Sequence, residues 1–122
     1  MMKYFICLLP MAFVLGCTLN VNTLQGKWQA VGFFQDGQSL SAPLDSVSLV
    51  LSPKDNQYIF HSLGHYREAG ALKLVGKYLF LTDTTVQPVQ ARTLRVLYLS
   101  DDTLKLLMTA EGKEQVLFLT KQ

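Results

Sequence analysis

From Leu24 to the end of the chain, apolar and polar side chains alternate in short runs, and most of the runs stop at glycine, proline, asparagine or aspartate. A period of two places successive side chains on opposite faces of an extended strand, whereas a helix would repeat its apolar positions every three or four residues. No stretch carries helical periodicity long enough to stand as a helix. The chain is therefore constrained to an all-β domain of short strands and tight turns.

Eight strands are expected: Lys27 to Phe34, Ser46 to Ser52, Gln57 to Ser62, Tyr66 to Val75, Lys77 to Thr82, Gln90 to Leu99, Thr103 to Thr109 and Gln115 to Lys121. Asp36-Gly37, Pro53 to Asn56, Leu63-Gly64-His65, Gly76, Ser100 to Asp102 and Glu111 to Lys113 mark turns, and Gln38 to Asp45 is the longest irregular connection. Alternation puts Val47, Leu49 and Leu51 on one face, Tyr58 and Phe60 on another, then Leu94, Val96 and Tyr98, then Leu104, Leu106 and Met108. Gly70, inside the fourth strand, is expected to mark a bulge or bend. The last strand is apolar on both sides, with Val116 and Phe118 opposed to Leu117 and Leu119. Consecutive strands joined by tight turns favour an antiparallel up-and-down barrel, because closure removes sheet edges; a two-sheet sandwich is the rival architecture.

Residues 1–16 have the form of a secretory leader: Lys3, an apolar run from Tyr4 to Leu15, then small Gly16. The run is shorter than the about 20 residues a spanning helix needs and is interrupted by Pro10. Val14-Leu15-Gly16-Cys17 resembles a lipobox, which implies that Cys17 is acylated and becomes the new amino terminus. The only other cysteine, Cys7, lies in the leader, so a processed chain would hold no disulfide. Residues 17–23 then form a lipidated cysteine and short tether, and residues 24–122 the domain. With Thr18 after the cysteine and no aspartate there, the expected location is the outer membrane, facing the periplasm.

The formal charge is +2, or +1 once Lys3 is removed, and the basic residues are scattered singly from Lys27 to Lys121. No basic run is available to follow a phosphate backbone, which argues against a nucleic-acid partner.

Leu24-Gln25-Gly26-Lys27-Trp28 is similar to the Gly-x-Trp opening of lipocalins and of shorter bacterial lipocalin-like lipoproteins. The resemblance implies a small eight-stranded lipocalin-like barrel in which Trp28, the only tryptophan, plugs the closed end while Gly26 lets the entering backbone pass beneath it. It extends over nearly all of the processed chain. Two departures stand out. Thr82-Asp83-Thr84 follows Trp28 too closely to be the family's Thr-Asp-Tyr turn, and either Lys121 or Arg92 could supply the basic residue that stacks on the tryptophan.

Reactive constellations are sparse. His61, His65, Tyr66, Arg67 and Glu68 gather around one turn, but two histidines without a third ligand do not make a zinc site. Ser39, Ser41, Ser46, Ser48 and Ser52 lack the Gly-x-Ser-x-Gly elbow of hydrolases, and Asp101-Asp102 is a turn pair by context. No catalytic residue, metal or cofactor is expected, and the protein is read as non-enzymatic. Eight strands enclose an interior just wide enough for packed side chains or one small ligand; Phe60, Tyr78, Val96 and Met108 are the candidates to line a pocket. The functional expectation is a lipid-anchored protein that binds a small apolar ligand or a partner protein of the envelope. The alternatives are an inhibitor of an envelope-directed enzyme, resembling the barrel lipoproteins that block lysozyme with a loop such as Gln38 to Asp45 or Asp83 to Pro88, and a structural envelope subunit.

Overall fold

A computed structural model describes residues 19–40, 43–62 and 65–122. The leader, Cys17 with its expected acylation, Ser41 and the Leu63-Gly64 turn lie outside the described residues. The described residues include a helical turn, α1 (Val21–Leu24), and a 3-10 turn (Leu44–Ser46). Between and after them run β1 (Gly26–Gln35), β2 (Gln38–Ser39), β3 (Ser48–Ser52), β4 (Gln57–His61), β5 (Arg67–Val75), β6 (Tyr78–Asp83), β7 (Gln90–Leu99), β8 (Thr103–Ala110) and β9 (Lys113–Lys121). Each long strand pairs antiparallel with the next, and β9 returns to pair with β1, from Lys121 opposite Trp28 to Gln115 opposite Gln35. The result is a closed eight-stranded up-and-down barrel, with the two-residue β2 folded back on the end of β1. The sandwich alternative is thereby set aside.

The folded domain starts ahead of Leu24. Asn20 caps α1 by accepting the Asn22 amide through its side chain (2.9 Å), and Leu24 is fully buried, so residues 21–23 belong to the folded domain. The interior is filled by the inward set of every strand, including Trp28, Leu49, Leu51, Tyr58, Leu72, Leu79, Leu104 and Leu119. The two-sided character of β9 is answered on the outside as well as the inside. Phe118 packs against Phe34 with ring centroids 5.1 Å apart, and Lys105 Nζ stands 4.7 Å over the Phe118 ring.

Two register shifts redirect side chains. In β1 the pairing with β9 skips Val31, which is exposed, so the inward positions change from Trp28 and Ala30 to Phe33 and Gln35. In β7 the pairing with β8 skips Leu97. Tyr98, expected inward beside Val96, is 50% exposed instead, and Leu99 takes the inward place. An extra residue in one strand reverses every later side chain, which a strict alternation does not anticipate.

Gly70 marks no bulge: its pairings with Tyr58 and Asp83 are in register. It is instead a close approach, since a Cβ there would overlap the carbonyl oxygen of Thr82 and crowd the Thr84 amide. Both obstacles are backbone and cannot swing aside. Gly70→Ala is therefore expected to destabilise the barrel by about 1–3 kcal/mol, the usual cost of forcing atoms into packed space, measured as a fall in the urea midpoint with an unchanged slope.

Candidate functional site

The two ends of the barrel differ. At one end Trp28 is fully buried, and its Nε1 donates to the Leu24 carbonyl oxygen at 3.0 Å, fixing α1 across the opening. Lys121 Nζ lies 5.0 Å from the centroid of the Trp28 ring and donates to the Thr23 carbonyl oxygen at 2.7 Å. Lys121, and not Arg92, is thus the cation on the tryptophan. Gly26 has φ +141°, and a Cβ would come within 3.1 Å of Lys121 Cε, so glycine serves both the backbone conformation and the passage of the lysine stem. This end is sealed.

At the other end the inward side chains do not meet. They leave a cavity of about 260 Å³, walled by apolar groups that include Phe33, Leu49, Phe60, Leu94, Leu106 and Leu117. Leu44, from the 3-10 turn, also faces it. That turn is held in place by Gln29, whose Nε2 donates to the Leu44 carbonyl oxygen at 2.8 Å and the Val47 carbonyl oxygen at 3.0 Å. Tyr66, which is exposed, sets its ring edge-on to Phe60 at 6.3 Å.

One side of this apolar wall carries a polar cluster centred on Glu68, which is 1% exposed. Its Oε1 accepts from Tyr66 Oη (2.9 Å) and Arg92 Nη2 (2.7 Å); its Oε2 accepts from Tyr58 Oη (2.6 Å) and Arg92 Nε (3.2 Å). Four donors on two oxygens leave this carboxylate satisfied, which is the condition for keeping a charge inside a barrel. Burial, and then the bond to Glu68, push the Tyr58 phenol far up. Tyr66 is raised as well, chiefly by its hydrogen bond to Glu68. Asp83, also buried, accepts the amide and hydroxyl of Thr85, and these bonds hold its carboxyl below the usual range.

The barrel wall is incomplete beside this cluster. The ladder between β7 and β8 runs from Leu99 opposite Leu104 to Arg95 opposite Leu107 and stops there. Beyond it the first half of β7 pairs with β6, and Met108 to Ala110 pair with β9. The two strands splay, and a cleft opens on the outside. Glu68, Arg92 and Met108 line both this cleft and the cavity.

Of the four residues expected to line a pocket, Phe60 and Met108 do face the cavity. Val96 is inward and buried but lies in the packed layer below it. Tyr78 corrects the expectation: it is 45% exposed on the outer face of β6, beside Phe80 at 6.4 Å, because Leu79 and Leu81 are the inward pair of a strand apolar on both sides. From the histidine cluster, only Glu68 and Tyr66 enter the site. His61 and His65 are exposed, and among the described residues no group of three His, Cys, Asp or Glu could hold a metal. The pairing of Glu68 with Arg92 spans 24 positions and three strands. The one sequence signal for it was polar residues at inward positions of otherwise apolar strands.

No protein-family model matches the chain, and no curated protein matches it. Among solved structures, a lipocalin-like protein from Bacteroides uniformis ATCC 8492 is similar, with 21% identity and a TM-score of 0.60 over 82% of this chain and 99% of that one. The fold is therefore lipocalin-like.

The tyrosine shifts fix a pH dependence. Tyr58 and Tyr66 keep their protons in the folded state above their ordinary value of 10.0, whereas the unfolded chain loses them there. Their contribution to stability is present below pH 10 and is lost as pH rises through the folded values. Unfolding midpoints measured across the alkaline range are expected to fall above pH 10, and to fall less steeply in Tyr66→Phe.

Proposed function

We propose that this protein is a non-enzymatic, lipid-anchored lipoprotein of the cell envelope that carries a small apolar molecule in its barrel. The observation that carries the reading is the asymmetric interior: one end is closed by Trp28 and Lys121, the other holds a mainly apolar cavity whose polar lining is the Glu68–Arg92 pair with Ser62 and Gln115. Apolar walls with few convergent polar groups are the usual character of small-molecule sites. At about 260 Å³ the cavity lies just below the roughly 300–1,000 Å³ usual for drug-sized ligands, which means a small ligand.

The anchor sets an orientation. If Cys17 carries acyl chains, only Thr18 to Asn20 separate it from α1, a reach of about 10 Å at ~3.3–3.6 Å per residue. Because α1 lies across the closed end, that end would face the bilayer and the cavity would open away from it, toward the periplasm from the outer membrane. An apolar ligand would then be handed to or taken from partners in the aqueous space, with no nucleic acid involved.

The inhibitor alternative needs a loop free to enter another protein. Among the described residues, both candidate segments are held at their ends. Leu40 donates its amide to the Phe33 carbonyl oxygen at 2.8 Å, Gln29 holds Leu44 and Val47, and Asp83 binds Thr85. These contacts favour the carrier.

Met108→Trp fills the cavity from one wall. It is expected to weaken binding of the neutral fluorophore N-phenyl-1-naphthylamine by at least about tenfold, equivalent to 1.4 kcal/mol, with little change in the unfolding temperature. Unchanged binding would remove the cavity from the proposal. Separately, Cys17→Ser is expected to abolish acyl labelling and release the protein from membranes in a fractionation experiment, and continued attachment would refute the anchor.

A further inference from the structure

We propose that the cavity selects apolar molecules ending in an uncharged oxygen acceptor, such as an alcohol, ketone or ester, and that Arg92 Nη1 is the donor that holds this end. The inference rests on the carrier reading and specifies its ligand.

Arg92 stands where the cavity meets the cleft between β7 and β8, and its side chain is 37% exposed. Two of its nitrogens are committed to Glu68. The third, Nη1, has only the thioether of Met108, at 3.7 Å, and sulfur is a weak acceptor. A strong donor is thus left with spare capacity where the cavity and the cleft meet, next to a residue that lines both. An incoming oxygen would complete the guanidinium without disturbing the pair with Glu68.

Charge decides which oxygen. Glu68 takes two of its four hydrogen bonds from Arg92, so the carboxylate and the guanidinium offset each other. Asp83, inward on β6 and fastened to Thr85, adds a second carboxylate whose charge is felt at Tyr58 and Tyr66. Two carboxylates against one guanidinium leave the cluster with one net negative charge. The segments at the open end add more of the same sign, since they carry Asp36, Asp45, Glu111 and Glu114 against Arg67 and Lys113. A ligand carboxylate would lose its hydration and meet this negative field. An ammonium would suit the field but would find the lone pairs of Glu68 already occupied and a guanidinium in its way. A neutral acceptor meets neither obstacle.

The test is displacement of N-phenyl-1-naphthylamine from the purified full-length protein at neutral pH by decanol, decanoate and decylamine, which share one chain length and differ in the end group. Decanol is expected to displace the fluorophore at roughly tenfold lower concentration than either ion. In Glu68→Gln, which removes one negative charge and leaves Arg92 without its counter-ion, decanoate is expected to overtake decanol. Decanoate or decylamine equalling decanol on the wild type would overturn the selectivity while leaving the carrier reading intact. A wild type that takes up neither the fluorophore nor any of the three amphiphiles would overturn the carrier reading itself. The wild-type ranking decides the question even if the variant does not fold.

Discussion

Strand β9 pairs with β8 on one side and with β1 on the other, and this double use of one strand is what every other feature rests on. The pairing joins residues about eighty or more positions apart, such as Gln115 with Gln35 and Lys121 with Trp28. Such contacts return nothing until most of the chain is ordered, because the loop they close must first lose its freedom. Once made, they bring Lys121 over Trp28 and Leu119 beside the core at the same time. Closure and the sealing of one end are therefore a single event. The hairpin ends agree with this, since the Asp36 amide donates to the Glu114 carbonyl oxygen at 2.9 Å and the Glu114 amide to the Asp36 carboxylate at 3.0 Å.

The strands were legible because turn chemistry punctuates them. All eight expected strands of the barrel are present, with ends displaced by a few residues at most, and the Gly26-Lys27-Trp28 segment sits where its resemblance to the lipocalin opening implied. What alternation could not supply was the facing of side chains beyond a bulge. Nothing about Val31 or Leu97 distinguishes it from its neighbours, yet each is the extra residue that turns the rest of its strand over. Strands with large apolar groups on both faces are ambiguous for a different reason: for Tyr78 against Leu79, either parity satisfies the pattern.

The polar cluster was half visible. Glu68 and Tyr66 stood out in a run of titratable residues, but their working partners, Tyr58 and Arg92, come from strands on either side of the pair β5 and β6. Sequence proximity pointed to the histidines, which face outward. Spatial proximity followed the pleat, which turns residues 58, 68 and 92 to the same interior. A fully satisfied buried carboxylate contributes little net stability against a well-packed apolar substitute.

The splay of β7 from β8 has a consequence for how the molecule keeps to itself. Along Gln90 to Leu94 and Met108 to Ala110, main-chain amides and carbonyls that a complete ladder would consume are left turned toward the gap. Such a stretch is a template on which another chain could add a strand, the usual start of edge-to-edge aggregation. Here the template is brief, and the long cationic side chains of Arg92 and Arg95 flank it, with the bulge at Leu97 twisting the strand just beyond. These are the gatekeeping devices by which β-proteins stay monodisperse. The gap is thereby a short, charged edge and a poor template for strand addition.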